Sequence, residues 1–120
     1  MANIGTNLSN AVNDIIKWLA AAIKKVGTLV QTGDTQNAVL LLDDIQTTIT
    51  TYLTVINQFI PTSSIKPFPS NFFSQISWVF NNLAWMQVFM ILLTGINPFE
   101  GAKANARAIA TKWGFANEVY

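Results

Sequence analysis

The sequence predicts an all-α fold: four helices packed up-down-up-down as one domain over residues 1–120, with an extra exposed apolar face on the third helix. Three observations lead there. Three stretches repeat apolar residues at alternating steps of three and four, the spacing of one helix face, and a fourth is rich in alanine behind a helix-start signal. Glycine and proline punctuation falls between those stretches. Hydrophobic residues make up 51% of the 120 positions and charged residues only 11%, against roughly 25% charged in an ordinary soluble domain, so a core is available and a charged, disordered chain is excluded. Polarity comes from neutral groups instead, with 12 Asn, 6 Gln and 12 Thr beside 13 charged side chains.

The first helix is expected over about 9–31, capped by Ser9 or Asn10, with Val12, Ile16, Leu19, Ile23, Val26 and Val30 as its apolar stripe. Residues 1–7 lack the basic start and long apolar run of a secretory signal, so export by a cleaved leader is not expected. Thr32-Gly33-Asp34 supplies a stop at Gly33 and an N-cap at Asp34. The second helix, 35–60, repeats the pattern with Leu42, Ile45, Ile49, Tyr52, Ile56 and Phe59. Its other side carries Thr47, Thr51, Thr54 and Gln58. β-branched residues weaken helix propensity by a few tenths of a kcal/mol each, but the spacing persists over two heptads and outweighs them. Pro61, Pro67 and Pro69 make 61–70 a loop.

The third helix, 71–94, carries two apolar stripes. One runs Ile76, Val79, Leu83, Met86, Met90, Leu93; the other runs Trp78, Asn82, Trp85, Phe89, Leu92. A helix apolar on two faces needs cover on two faces, so a neighbour is implied. Asn97-Pro98-Phe99-Glu100 then reads as an N-cap, a proline at the first helical position and a glutamate at the third. The fourth helix, 98–117, is rich in alanine, with Ile109 and Trp113 as larger anchors.

The absence of Cys and His removes disulfides, thiolate sites and the commonest general base and metal ligand. The acids are Asp14, Asp34, Asp43, Asp44, Glu100 and Glu118. Asp34 and Glu100 have helix-start roles, and Asp43 and Asp44, about 100° apart on a helix, do not form an acid/base pair. The sequence therefore predicts no enzyme, no catalytic residue, no cofactor, no metal site and no small-molecule substrate. The tryptophans read as packing or interface anchors before base-stacking platforms. Trp78, Trp85, Phe89, Leu92 and Trp113 are the candidate subunit interface. Lys103, Arg107 and Lys112 are the candidate nucleic-acid contacts, Lys103 and Arg107 on one face and Lys112 roughly opposite; Lys17 and Lys24 form a second cluster with Lys25 beside them. Each cluster is weak alone and gains by repetition in an assembly.

Low charge and abundant neutral hydrogen-bonding groups favour a subunit that packs against copies of itself. Residues 67–99 carry no charge, long enough for a membrane span, although Ser74, Gln75, Asn81, Asn82 and Gln87 interrupt them; the cell membrane and lipid are the alternative. The small size, the lack of Cys and His, and paired apolar helices around Thr-Gly-Asp and Thr-Gly-Ile-Asn-Pro-Phe-Glu resemble the all-helical coat subunits of archaeal viruses. The uncharged pair 45–60 and 72–94 is similar to the two-helix pilins of conjugation-type pili. These resemblances imply a structural subunit of a virion coat or extracellular filament in the first case, and helices packed with lipid in the second.

Overall fold

A computed structural model describes the backbone of residues 4–59 and 69–120, and within those ranges the side chains from Ile15 onward except Ala84. The described residues are helical, with no strand among them: α1 Ile4–Gln31, α2 Thr35–Asn57, α3 Phe72–Thr94 and α4 Glu100–Trp113, followed by a 3₁₀ turn at Ala116–Glu118. Within α3, Val79–Leu83 form a π-turn. The Cα envelope measures 48 × 31 × 19 Å, about two helix diameters in its thin direction.

The punctuation acts as the sequence suggests at three places. Gly33 is left-handed at φ +81, and the Asp34 amide donates back to the Leu29 carbonyl at 2.8 Å. Asp34 then caps α2 by accepting from the Asn37 amide at 3.3 Å. Asn71 caps α3 by accepting from the Phe73 and Ser74 amides, and Gly95 ends that helix at φ +73.

Four helix limits differ from expectation, the first being the end of α2, which stops at Asn57 and not at 60, with Gln58 and Phe59 in a turn. α1 starts at Ile4 rather than at Ser9 or Asn10, because helical apolar spacing continues upstream through Ile4, Leu8 and Ala11. At Asn97 the carboxamide accepts from the Phe99 amide at 3.0 Å, closing a turn, and α4 begins only at Glu100. Glu100 is thus the first helical residue, and Phe99 is freed to bury its ring against Tyr52 at 5.6 Å. α4 stops at Gly114, φ +79, not at Asn117, so that Phe115 turns into the core beside Trp18 at 5.7 Å. Ile60, at the expected end of the second helix, and most of the 61–70 loop lie outside the described residues.

α1 is central: α2, the Ala84–Thr94 half of α3 and α4 all pack on it. Its inward residues are Ile15, Trp18, Leu19 and Ala22, all fully buried. The expected stripe is therefore rotated by about one residue, with Ile16, Ile23 and Val26 at the margin and Val30 exposed; Val12 lies outside the described side chains. The alanines explain how α4 comes close. Ala102, Ala106 and Ala110, four apart and buried, let Trp18 reach the α4 backbone, where Nε1 donates to the Ala106 carbonyl at 2.7 Å.

These pairings also give direction. Tyr52 meets Phe99 while Asp44 meets Trp113, so α4 runs antiparallel to α2. Trp18 meets Ala106 while Lys24 and Thr28 border Gly114 and Phe115, so α4 runs in the same sense as α1. Strict up-down-up-down alternation requires the reverse of both and does not hold at α4.

Candidate functional site

The feature that stands out on this surface is the outward side of α3. Phe73 is 77% exposed, Trp85 71%, Leu92 59% and Ile96 60%, with Phe89 and Phe80 also open to solvent. The inward side holds Trp78, Val79, Leu83, Met90 and Ile91, all buried. The π-turn determines which residue goes where. In an uninterrupted α-helix, five residues advance about 500°, so Phe80 and Trp85 would stand ~140° apart. One residue absorbed in the wider turn removes ~100° of that, bringing Phe80 and Trp85 within ~40°. Phe73, Phe80, Trp85, Phe89 and Leu92 then share one side, and Ile96 is exposed just beyond the end of the helix. The Asn82 amide, donating to the Trp78 carbonyl at 3.1 Å, braces the turn.

This placement corrects two of the sequence-derived interface residues. Trp78 and Trp85 were expected on one stripe, but the π-turn divides them: Trp78 is 6% exposed and belongs to the core. Trp113 is half-buried, and its Nε1 donates to Asp44 Oδ2 at 2.7 Å, tying α4 to α2. Trp85, Phe89 and Leu92 are the three that face solvent. Leu93, expected inward, is 63% exposed.

α2 presents the opposite chemistry. Asp43, Gln46, Thr47, Thr50, Thr51 and Thr54 border a shallow open groove along its outer side. The Thr47, Thr51 and Thr54 hydroxyls donate to the carbonyls four residues earlier. Back-bonding of this kind satisfies the hydroxyl within its own helix and shows why the threonine run remains helical.

Two glutamines point inward from α3. Gln75 donates through Nε2 to the Pro69 carbonyl at 2.9 Å, holding the approach to the helix. Gln87, 1% exposed, has no hydrogen-bond partner at Nε2, a burial that costs roughly 1–3 kcal/mol. Sequence spacing missed both, since a polar residue inside an apolar helix gives no sign of its direction.

Of the candidate phosphate contacts, Arg107 lies 4.7 Å over the Tyr120 ring. Lys103, four residues earlier, is partly exposed. Lys112 is engaged elsewhere, 3.2 Å from Asp44 and 5.4 Å from the Trp113 ring. Among the described residues no cluster of three or more acidic, His or Cys side chains could hold a metal ion. Fold and surface together define an all-helical chain with an aromatic outer side on one helix. No protein-family model, no curated protein and no solved structure matches this chain.

Proposed function

We propose that the chain is a non-enzymatic structural subunit that assembles with copies of itself, as in a virion coat or an extracellular filament, through the outward side of α3. One observation carries the reading: bulky apolar side chains from Phe73 to Leu92 lie on a single side of one helix, more than half exposed at most positions. Isolated exposed apolar residues are ordinary, but a contiguous set marks a contact surface. Aromatic residues are the preferred anchors of such contacts. The low charge of the chain removes repulsion between copies, and neutral Thr, Asn and Gln supply hydrogen bonds at the margins without the desolvation cost of ions.

A second reading has its own observation. Thr35–Asn57 and Phe72–Thr94 are both long and apolar enough to cross a membrane, the arrangement of a pilin or hole-forming protein. Against it stands the outer side of α2, where Asp43, Gln46 and Gln58 are exposed and would need partners in hydrocarbon.

Light scattering of the purified chain in plain buffer, repeated with a mild detergent and joined to liposome flotation, separates the two. Self-assembly predicts particles far above 13.2 kDa in buffer and no flotation. A single-chain species in buffer overturns the assembly reading, and flotation with solubility only in detergent supports the membrane one.

A further inference from the structure

The two basic clusters that the sequence places far apart come together in the fold. Lys17 and Lys24 are seven apart on α1, and Lys103 and Arg107 four apart on α4, so each pair shares a helix face. The two helices run in the same sense and touch where Trp18 meets Ala106. The C-terminal turn bridges them: Glu118 borders the cleft formed with Lys24, Lys25, Gly114 and Phe115, while Tyr120, two residues on, lies under Arg107. None of the five cations makes an ion pair among the described residues. The sixth described cation, Lys112, is bound to Asp44 on the α2 flank of α4. Charge is thereby divided between elements: Asp34 caps α2 and Asp43 and Asp44 lie on it, whereas the five cations lie along α1 and α4. Asp14 on α1, Glu100 on α4 and Glu118 in the C-terminal turn are the acids of these elements, leaving the five cations a net +2 in a chain whose total is only +1.

We infer that the α1/α4 side binds the phosphate backbone of nucleic acid. The surroundings favour this over a lipid surface. Tyr120 is the large exposed side chain here and is engaged by Arg107; the exposed residues along the two helices beside the cations are small, among them Ala20, Gly27, Thr28, Ala104, Ala108 and Thr111, too small to insert between acyl chains as an interfacial helix does with Trp, Phe or Leu. Small side chains leave a phosphate backbone free to come close. Contacts are to charge and not to base edges, so the binding is independent of sequence. The inference does not depend on the α3 reading, because it concerns a different side of the molecule and applies to a single copy; assembly would multiply it.

The test is fluorescence anisotropy of a labelled duplex of about 20 base pairs, titrated with the full chain between ~50 and ~200 mM salt. Three to five phosphate contacts predict a logarithmic salt slope of about −2.7 to −4.5, or roughly a 40- to 500-fold loss of affinity across that range. Lys17→Gln/Lys24→Gln and Lys103→Gln/Arg107→Gln are then compared, with helix content checked by circular dichroism. Each pair should flatten the slope by about 1.8, and Lys112→Gln should leave it unchanged. No measurable duplex binding overturns the inference, as does an effect confined to one pair. Equal binding of the wild type to anionic vesicles with none to duplex also overturns it and assigns the patch to lipid headgroups.

Discussion

Trp85→Ala is the substitution that separates a contact surface from a core. With 71% of the indole exposed and about 250 Å² for a whole tryptophan, covering it removes ~180 Å² from water. At ~25 cal/mol per Å² that is about 4 kcal/mol. Interface anchors deliver about 2–4 kcal/mol on truncation, so association should weaken ~30- to ~1000-fold. The covered remainder of the ring is ~70 Å², so the urea stability of the subunit itself should fall by under ~2 kcal/mol. Dilution followed by sedimentation velocity reads the first quantity, and circular dichroism in urea reads the second. An association constant unchanged by the substitution would refute the assignment of this side to subunit contact. A stability loss as large as the association loss would place Trp85 in the subunit's own packing.

Four further outcomes follow from the geometry. Trp18→Phe leaves a smaller ring beside Phe115 and deletes the donor to the Ala106 carbonyl; urea denaturation should show a loss of ~1–3 kcal/mol. Gln87→Met exchanges a buried amide with an unmet donor for an apolar side chain of similar length, and the same assay should show a gain of about 1 kcal/mol. At Gly114, nothing lies within 4 Å of an added Cβ, so Gly114→Ala tests backbone strain alone, with an expected cost of ~1–2 kcal/mol at φ +79. Deleting Asn81 removes the one residue that the π-turn absorbs, so the turn should become a plain α-turn with the Ala84–Thr94 half keeping its present direction; thermal unfolding should stay single and sharp, whereas a broad, early transition would mean that the wider turn does more than absorb one residue.

Much of the fold is legible in the sequence because its stops are local. Gly33, Asp34, Asn71 and Gly95 act through their own backbone and a neighbour three or four residues away, and each is where turn chemistry puts it. Gly114 carries the same signal. It was overlooked because the alanine-rich run and Trp113 suggested that the helix continued, whereas burying Phe115 against Trp18 ends it. What the spacing cannot reveal is anything settled by distant partners. Ile16 or Trp18 could equally head the α1 stripe until the small face of α4 selects Trp18, whose indole needs an acceptor and finds one 88 residues away.

The same limit explains why Trp78 and Trp85 were expected on one side. Counting at 100° per residue through α3 joins Trp78 to Trp85, and no residue in Val-Phe-Asn-Asn-Leu announces a π-turn. Yet a strict helix, although it keeps Val79, Leu83 and Met90 on one stripe, holds Trp78 and Trp85 only ~20° apart, so it would bury both indoles or expose both. One extra residue in the turn lets both halves bury their apolar sides in the same core, and it also aligns Phe73 and Phe80 with Trp85 and Phe89 outside. Packing within the subunit and the aromatic outer side therefore share one cause. Straightening α3 with all its residues retained should lose both together, while a variant that only trims Trp85 should lose the second alone.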